Sequence, residues 1–337
     1  MAYKITLTPS GHSFDAPADE TLLNAADQAG FKLPYGCSAG ACGACKAKVV
    51  AGEVDHGSSQ EHALPADERA AGMALMCCAK PLSDLTVEVR EVGALSGIPV
   101  KKLPCRVQKM ERVAPDVMLL QLKLPASEPL QFLAGQYLEF IRPDGSRRAF
   151  SIANAPHRNE FVELHVRLVA GGEFTTQVFE TMKEKDILRI EAPLGSFFLR
   201  EDSARPIILL AGGTGFAPIK GLVEHSLHKG YTRPIHLYWG ARDKAGLYMD
   251  ALARRWADEH PHIQYVPVLS DATADDAWDG RTGLVHQAVL EDFADLSGHE
   301  VYACGAPAMI DAARQDFAAR GLPEDAFFAD SFTFATH

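Results

Sequence analysis

The stretch Pro34-Tyr-Gly-Cys-Ser-Ala-Gly-Ala-Cys-Gly-Ala-Cys45 decides how the first part of this chain is read. Cys37, Cys42 and Cys45 crowd one loop, and another thiol is available downstream at Cys77. C-x4-C-x2-C followed by a distant cysteine is the ligand spacing of plant-type [2Fe–2S] sites. Two bridged irons need four thiolates, two for each iron. The intervening residues are nearly all Gly, Ala or Ser, so the loop can wrap closely and aim backbone N–H groups at sulfur. Such a cluster takes one electron at a time, which predicts electron transfer. Zinc is the competing reading, but structural zinc sites usually pair their cysteines as two short knuckles. Disulfides fit less well, because the seven cysteines include the adjacent pair Cys77-Cys78.

A chain of 337 residues has room for two or three domains. No apolar run approaches a membrane span. Met1-Ala-Tyr-Lys-Ile-Thr-Leu-Thr8 alternates like a strand and lacks the pattern of a signal peptide. With reduced cysteines, this predicts a cytoplasmic protein. A net charge of −11 argues against nucleic-acid binding. The same acidity suits a basic protein partner or a merely solvated surface.

Residues 1–92 read as a first unit. Ile5, Leu7 and Phe14 suggest two strands turning at Pro9-Ser-Gly11, and Thr21 to Gly30 a helix. Lys46–Ala51 and Leu85–Arg90 alternate as further strands, which suits a compact β-grasp module. Residues 93–102 are rich in turn formers and read as a linker. Residues 103–203 carry short strand-like segments near 105–113, 117–124, 136–142, 147–153, 161–169 and 186–192, spaced as in an antiparallel β-barrel. From residue 204 to 337 apolar strands alternate with helices. That pattern predicts a doubly wound parallel sheet. The fold class is therefore multidomain, β and α/β.

Arg148-Ala-Phe-Ser151 places a phosphate-pairing guanidinium, an aromatic face and a hydroxyl on one strand, a chemically suitable set for a flavin. Gly212-Gly-Thr-Gly-Phe-Ala-Pro218 lies between an apolar strand and a helix. Its glycines let the backbone approach a pyrophosphate, and the helix N-terminus favours the negative charge. Pro218 takes the helix-start position in this reading.

Together these motifs resemble the ferredoxin–NADP+ reductase superfamily. Arg148–Ser151 resembles its R-x-Y-S flavin motif, with Phe150 for Tyr, and Gly135-Gln-Tyr137 resembles P-G-Q-Y without the proline. Val166 to Val169, then Gly171-Gly172-Glu-Phe-Thr175, resemble the second flavin motif, with Thr175 for Ser. Gly212, Gly213, Thr214, Gly215 and Pro218 match G-G-[TS]-G-x-A-P, and Cys304-Gly305-Ala-Pro307 matches C-G-P-P except at Ala306. The resemblance implies FAD against Arg148, Phe150 and Tyr137, with Ser151 donating to flavin N5 and Cys304 bordering the nicotinamide. It also implies a C-terminal segment, Phe328 to Phe334, covering the flavin through Asp330 or Phe332. The Leu-Met-Cys context of Cys77 resembles the fourth cluster ligand, which leaves Cys78 as a packing residue. Arg242, after Trp239-Gly-Ala, is expected at the adenosine half. The implied donor is NADH, with NADPH not excluded.

The order of motifs is that of reductases with an N-terminal ferredoxin. NADH yields two electrons as hydride and the cluster accepts one, so a flavin must lie between them. The expected acceptor is a protein docked on the ferredoxin, either a sugar dehydrase or an oxygenase component. A self-contained flavin or quinone oxidoreductase is the alternative enzyme, and an iron–sulfur sensing module the non-enzymatic one. His225/His228 and His260/His262, pairs spaced i,i+3 and i,i+2, are expected to be surface residues and not metal ligands.

Overall fold

The computed structural model describes residues 1–332. The chain divides into two compact units, Met1–Ile98 and Pro99–His337. The first unit contains β1 (Ala2–Thr8), β2 (Ser13–Pro17), α1 (Leu22–Gln28), β3 (Lys46–Ala51), β4 (Val54–Asp55), α2 (Ala66–Ala70), β5 (Met73–Leu75), β6 (Lys80–Pro81) and β7 (Leu85–Glu88). Five strands form one sheet in the order β2-β1-β7-β3-β5, with β1 and β7 parallel. Alternation along β1 buries Ile5 and Leu7 with Phe14 of β2 and with Leu22, Leu23 and Ala26 of α1. Thr21 caps α1 by accepting the Asn24 N–H at 3.3 Å. This is the β-grasp arrangement, with the cysteine loop between α1 and β3. Gly93–Leu95 forms a 3-10 turn with Leu95 buried.

The second unit opens with β8 (Lys101–Ala114), so the last residues of the expected linker already pair in a sheet. It continues through β9 (Val117–Lys123), β10 (Tyr137–Ile141), β11 (Arg147–Ser151), β12 (Val162–Arg167), α3 (Glu173–Glu180) and β13 (Ile187–Leu194). The antiparallel order is β11-β10-β13-β8-β9-β12, and an Ile152–Leu164 bridge joins the two ends into a barrel. Its interior holds Leu103, Val107, Leu120, Phe140, Leu164 and Ile190.

The α/β part comprises β14 (Ile207–Gly212), α4 (Phe216–His228), β15 (Ile235–Ala241), α5 (Asp250–Glu259), β16 (Ile263–Leu269), β17 (Arg281–Thr282), α6 (Val285–Asp292), β18 (Glu300–Gly305), α7 (Pro307–Ala319) and β19 (Phe327–Ser331). All six strands are parallel, in the order β17-β16-β15-β14-β18-β19. Residues of α4 and α5 share one core, and residues of α6 and α7 share the other. The sheet is doubly wound. Its order reverses between β14 and β18, where open α/β sheets bind ligands beyond the strand ends. Among the described residues, no helix is long and apolar enough to cross a membrane.

At that switch point the turn after β14 lies directly against the end of β18. A Cβ on Gly215 would sit 2.0 Å from the Cys304 carbonyl oxygen. Backbone cannot yield as a flexible side chain would. Gly215→Ala is therefore expected to destabilise the protein by about 1–3 kcal/mol, the usual cost of overpacking. Denaturant unfolding of the two proteins measures it, and an unchanged midpoint would refute the close approach.

Candidate functional site

In the first unit, sheet pairing brings the distant cysteine to the loop. Lys46 of β3 lies opposite Leu75 of β5, and the Met76 N–H donates to the Cys45 carbonyl at 3.1 Å. The N–H groups of Leu22 and Leu23, at the start of α1, donate to Ala79 and Met76 carbonyls, each at 2.9 Å. These bonds hold the Cys77 turn. The thiols then fall into two hydrogen-bonded pairs, Cys37 with Cys42 and Cys45 with Cys77. The Cys42 thiol pulls Cys37 down to about 5 against the opposing effect of burial. Cys37 in turn pushes Cys42 up, and Cys45 pushes Cys77 up. Backbone N–H groups of Cys37 and Ala39 point at the sulfurs of Cys42 and Cys37, at 3.2 and 3.4 Å.

Cys78 is buried beneath the loop, and a Cβ on Gly40 would lie 2.7 Å from its sulfur. Burial pushes its thiol up to about 11. Among the described residues, no group of three or more His, Cys, Asp or Glu is placed to hold one metal ion. Cys77 Sγ also lies 3.7 Å from Cys78 Sγ, so Cys37, Cys42, Cys45 and Cys77 lie in one loop-and-turn cluster, as a two-iron site needs.

In the barrel, Phe150 is half-buried, with Phe140 and Phe174 at centroid distances of 5.8 and 5.5 Å. Arg148 is partly exposed beside it, its guanidinium donating to the Arg147 carbonyl at 2.7 Å. Tyr137 lies against Gly195, where a Cβ would come within 2.8 Å of the ring. Gln136 fixes that turn by donating to the Gly195 carbonyl at 2.9 Å. Gly171 has a φ of +74°, which turns the chain into α3. The Thr175 hydroxyl is engaged within this turn, accepting the Val169 N–H at 3.1 Å and donating to the Gly172 carbonyl at 3.0 Å. It shapes the loop. Val166 points into the barrel core, because alternation along β12 turns it inward. Only its backbone is available to a cofactor.

The two halves of the second unit meet at one carboxylate. Ser151, at the end of β11, donates from Oγ to Asp330 Oδ2 at 2.8 Å. Cys304 Sγ lies 3.8 Å from the same oxygen. Burial, reinforced by Asp330, pushes the Cys304 thiol well above its ordinary value, so it remains a neutral donor at neutral pH. Asp330 stands on β19 in register with Cys304 on β18. The expected covering segment is thus an edge strand whose Asp330 reaches the flavin strand. Phe332 follows, its N–H donating to the Gly305 carbonyl at 2.9 Å. Thr333 and Phe334 lie outside the described residues.

The glycine turn has the shape of an anion cradle. Gly213–Gly215 forms a 3-10 turn leading into α4. Helix α4 starts at Phe216, so Pro218 is its third residue and not its first. The first turn has no intrahelical use for that N–H, which is why proline fits there. Thr214 lies at the middle of the turn, and Trp239 Nε1 donates to the Gly213 carbonyl at 2.9 Å. A Cβ on Gly213 would lie 3.3 Å from Arg167 Nη1. Nε of Arg167 lies 3.4 Å from Asp116 Oδ2, while Nη2 is buried without a hydrogen-bond partner. An anion at the turn would satisfy Nη2. Sequence reading missed Arg167, although the period-two run Glu163, His165, Arg167 was visible. Farther along the sheet, Arg242 lines an open surface depression with Asp243, Ala245, Asp271, Thr273 and Asp276.

Comparison with known proteins agrees with this layout. The chain matches the family models of a 2Fe-2S iron-sulfur cluster binding domain over residues 5–82, an oxidoreductase FAD-binding domain over 104–199 and an oxidoreductase NAD-binding domain over 209–315. It is therefore an iron–sulfur flavoprotein oxidoreductase that carries electrons from a nicotinamide dinucleotide through FAD to a [2Fe–2S] cluster. It belongs to the ferredoxin reductase family. It is 46% identical over 332 residues to the CDP-6-deoxy-L-threo-D-glycero-4-hexulose-3-dehydrase reductase of Yersinia pseudotuberculosis, covering 98% of this chain and 99% of the relative. It is 40% identical to the reductase component of a Pseudomonas phenol 2-monooxygenase, covering 93% and 89%. The crystal structure of an Amycolatopsis cytochrome P450 reductase shares 36% identity and superposes with a TM-score of 0.80 over 99% of this chain and all of that one.

The buried, neutral thiol of Cys304 gives a direct test. In the folded protein it should resist alkylation by iodoacetamide at pH 8, because the thiolate is the reactive form. Denaturation should expose it to labelling, and peptide mass spectrometry reads both states.

Proposed function

We propose that this chain is the NADH-dependent reductase component of a two-protein system, passing electrons from NADH through FAD and the [2Fe–2S] cluster to a separate enzyme. The observation that carries the reading is the Asp330 carboxylate, which accepts from Ser151 of the flavin strand and faces Cys304 of the nicotinamide sheet. When bound, FAD supplies the exchange between two-electron and one-electron chemistry. Cys37, Cys42, Cys45 and Cys77 hold the cluster. Arg148, Phe150, Tyr137 and the Gly171-Gly172 turn bind the flavin, with Thr175 bracing that turn. Gly212 to Gly215 and Arg167 receive the dinucleotide phosphates, and Gly305 keeps the nicotinamide floor free of side chains. Asp330 accepts the one Ser151 O–H, which leaves that hydroxyl no proton for the expected bond to flavin N5, and burial together with Asp330 keeps Cys304 protonated. The three functions divide at 1–92, 103–203 and 204–337.

We assign the acceptor to the dehydrase class, making the chain similar in role to CDP-6-deoxy-3,4-glucoseen reductase. The 46% identity to a hexulose-dehydrase reductase supports this. So do Leu33 to Cys37, Gly52 to Gly57, Cys77 to Asp84 and Phe198 to Asp202, which resemble that enzyme. An oxygenase component is the second reading, supported by the phenol 2-monooxygenase relative. Free cysteines and the lack of a membrane-spanning helix among the described residues support a cytoplasmic location.

Anaerobic protein mixed with NADH or NADPH and followed by rapid-freeze EPR tests the relay. Flavin bleaching followed by a rhombic [2Fe–2S] signal is expected with NADH. Cys42→Ala should leave flavin bleaching intact and abolish electron delivery to the partner. A variant still active on a physiological quinone or flavin would instead mark a self-contained oxidoreductase. Asp243, Asp271 and Asp276 around Arg242 oppose a second phosphate on the adenosine ribose. Asp271→Asn is expected to narrow the NADH preference by about tenfold, the value of one charge interaction of about 1.4 kcal/mol. The ratio of kcat/KM for NADH and NADPH measures this.

A further inference from the structure

Strand β12 has two faces with different fates. Val162, Leu164 and Val166 enter the barrel core. Glu163, His165 and Arg167 alternate with them and face the nicotinamide half. Glu163 and His165 are buried there, together with Lys220 of α4. Lys220 Nζ lies 3.0 Å from Glu163 Oε1 and 2.9 Å from Glu224 Oε1, and it donates to the Ala153 carbonyl at 3.2 Å. His165 Nε2 is 3.4 Å from Glu163 Oε1, and its Nδ1 is 2.8 Å from Tyr248 Oη.

The directions of these bonds follow from the groups themselves. An ionised carboxylate only accepts, so Nε2 of His165 carries the proton. Nδ1 is then an acceptor, and the Tyr248 hydroxyl donates to it. Burial would raise Glu163, but His165 and Lys220 outweigh it and hold the carboxyl at about 2. Burial lowers His165 and keeps the ring neutral. Each link of the chain Tyr248–His165–Glu163–Lys220 thus has a defined donor and acceptor.

None of these four side chains belongs to the flavin or dinucleotide motifs, yet the elements that carry them lie beside the glycine cradle and on the flavin barrel. Lys220 lies one turn into the helix that follows the glycine cradle. Tyr248 packs edge-on against Trp239, and Trp239 holds the Gly213 carbonyl. Glu163 and His165 lie on the flavin barrel. Burying a charged pair costs desolvation, and a well-packed apolar pair of the same volume often serves stability as well or better. A core built for stability alone gains little from this set.

We infer that Glu163, His165, Lys220 and Tyr248 form a positioning network that fixes the dinucleotide cradle against the flavin barrel and so sets the distance over which hydride passes. They are positioning residues and touch neither cofactor in this scheme. The inference rests on the placement of FAD and nicotinamide proposed above. Failure of the unaltered protein to bleach its flavin with NADH would defeat that placement, whereas the ratio of variant to unaltered rates tests the network.

The experiment uses protein loaded with FAD and cluster, with Glu163→Gln and Tyr248→Phe as variants. Tyr248→Phe keeps the ring packing and removes only the bond to His165, so it remains informative if Glu163→Gln fails to fold. Both are expected to slow flavin reduction at saturating NADH by about 10- to 100-fold per bound flavin, the scale of a small misplacement. FAD content should be unchanged, and NAD+ affinity measured by calorimetry should stay within about threefold, since a positioning defect acts on the chemical step. In cofactor-free protein, amide hydrogen exchange across residues 242–249 should accelerate. Unaltered reduction rates in folded Tyr248→Phe would overturn the inference. So would a loss confined to FAD content or thermal stability with normal rates per flavin.

Discussion

The second unit depends on one close approach between two stretches of backbone. Gly215 lies so near the Cys304 carbonyl that only a hydrogen fits between them. Gly305, at a φ of +153°, presses on Gly212 from the other side, where a Cβ would come within 3.2 Å of its Cα. The ends of β14 and β18 are therefore interlocked, and their glycines serve packing as much as ligand access. With β18 fixed, the parallel register with β19 sets Asp330 beside Cys304. Asp330 then reaches Ser151 on the barrel. The Ser151–Asp330–Cys304 geometry is in this sense inherited from a glycine contact.

The first unit solves a different problem. Four thiols must gather from two distant parts of the chain, and unpaired charge must be neutralised when they do. The β3–β5 pairing and the N–H groups at the start of α1 bring the Cys77 turn to the loop. Backbone N–H groups already face two of the sulfurs. Such donors stabilise the ionised thiolates that metal binding requires. The small residues of the loop are thus the means by which backbone becomes the second coordination shell.

Much of this was legible in the sequence, for identifiable reasons. The cysteine spacing and the glycine-rich turn are local signals, since the residues that act together are neighbours in the chain. The strand and helix periods were equally local. What escaped were relations between distant residues. β19 was read as a covering tail because its edge pairing depends on β18. Val166 fell within a motif, but its direction is fixed by the barrel interior and not by its neighbours. Pro218 was placed one residue type too literally, at the start of a helix that begins two residues earlier. Glu163, His165 and Lys220 carry no local signal, because folding alone brings strand β12 and helix α4 together.

The charges also divide the dinucleotide groove into two ends. Near the glycine turn, Arg167 offers a buried N–H group and the helix N-terminus adds partial positive charge. At the other end, Asp243, Asp271 and Asp276 line the same depression as Arg242. A molecule with its negative charge in the middle and a neutral sugar at its end matches this profile. One carrying an extra phosphate on that sugar meets repulsion where the other meets hydrogen-bond acceptors. On the placement of the dinucleotide proposed above, discrimination falls at the Arg242 end and hydride geometry at Cys304 and Ser151. Different residues then serve the two tasks.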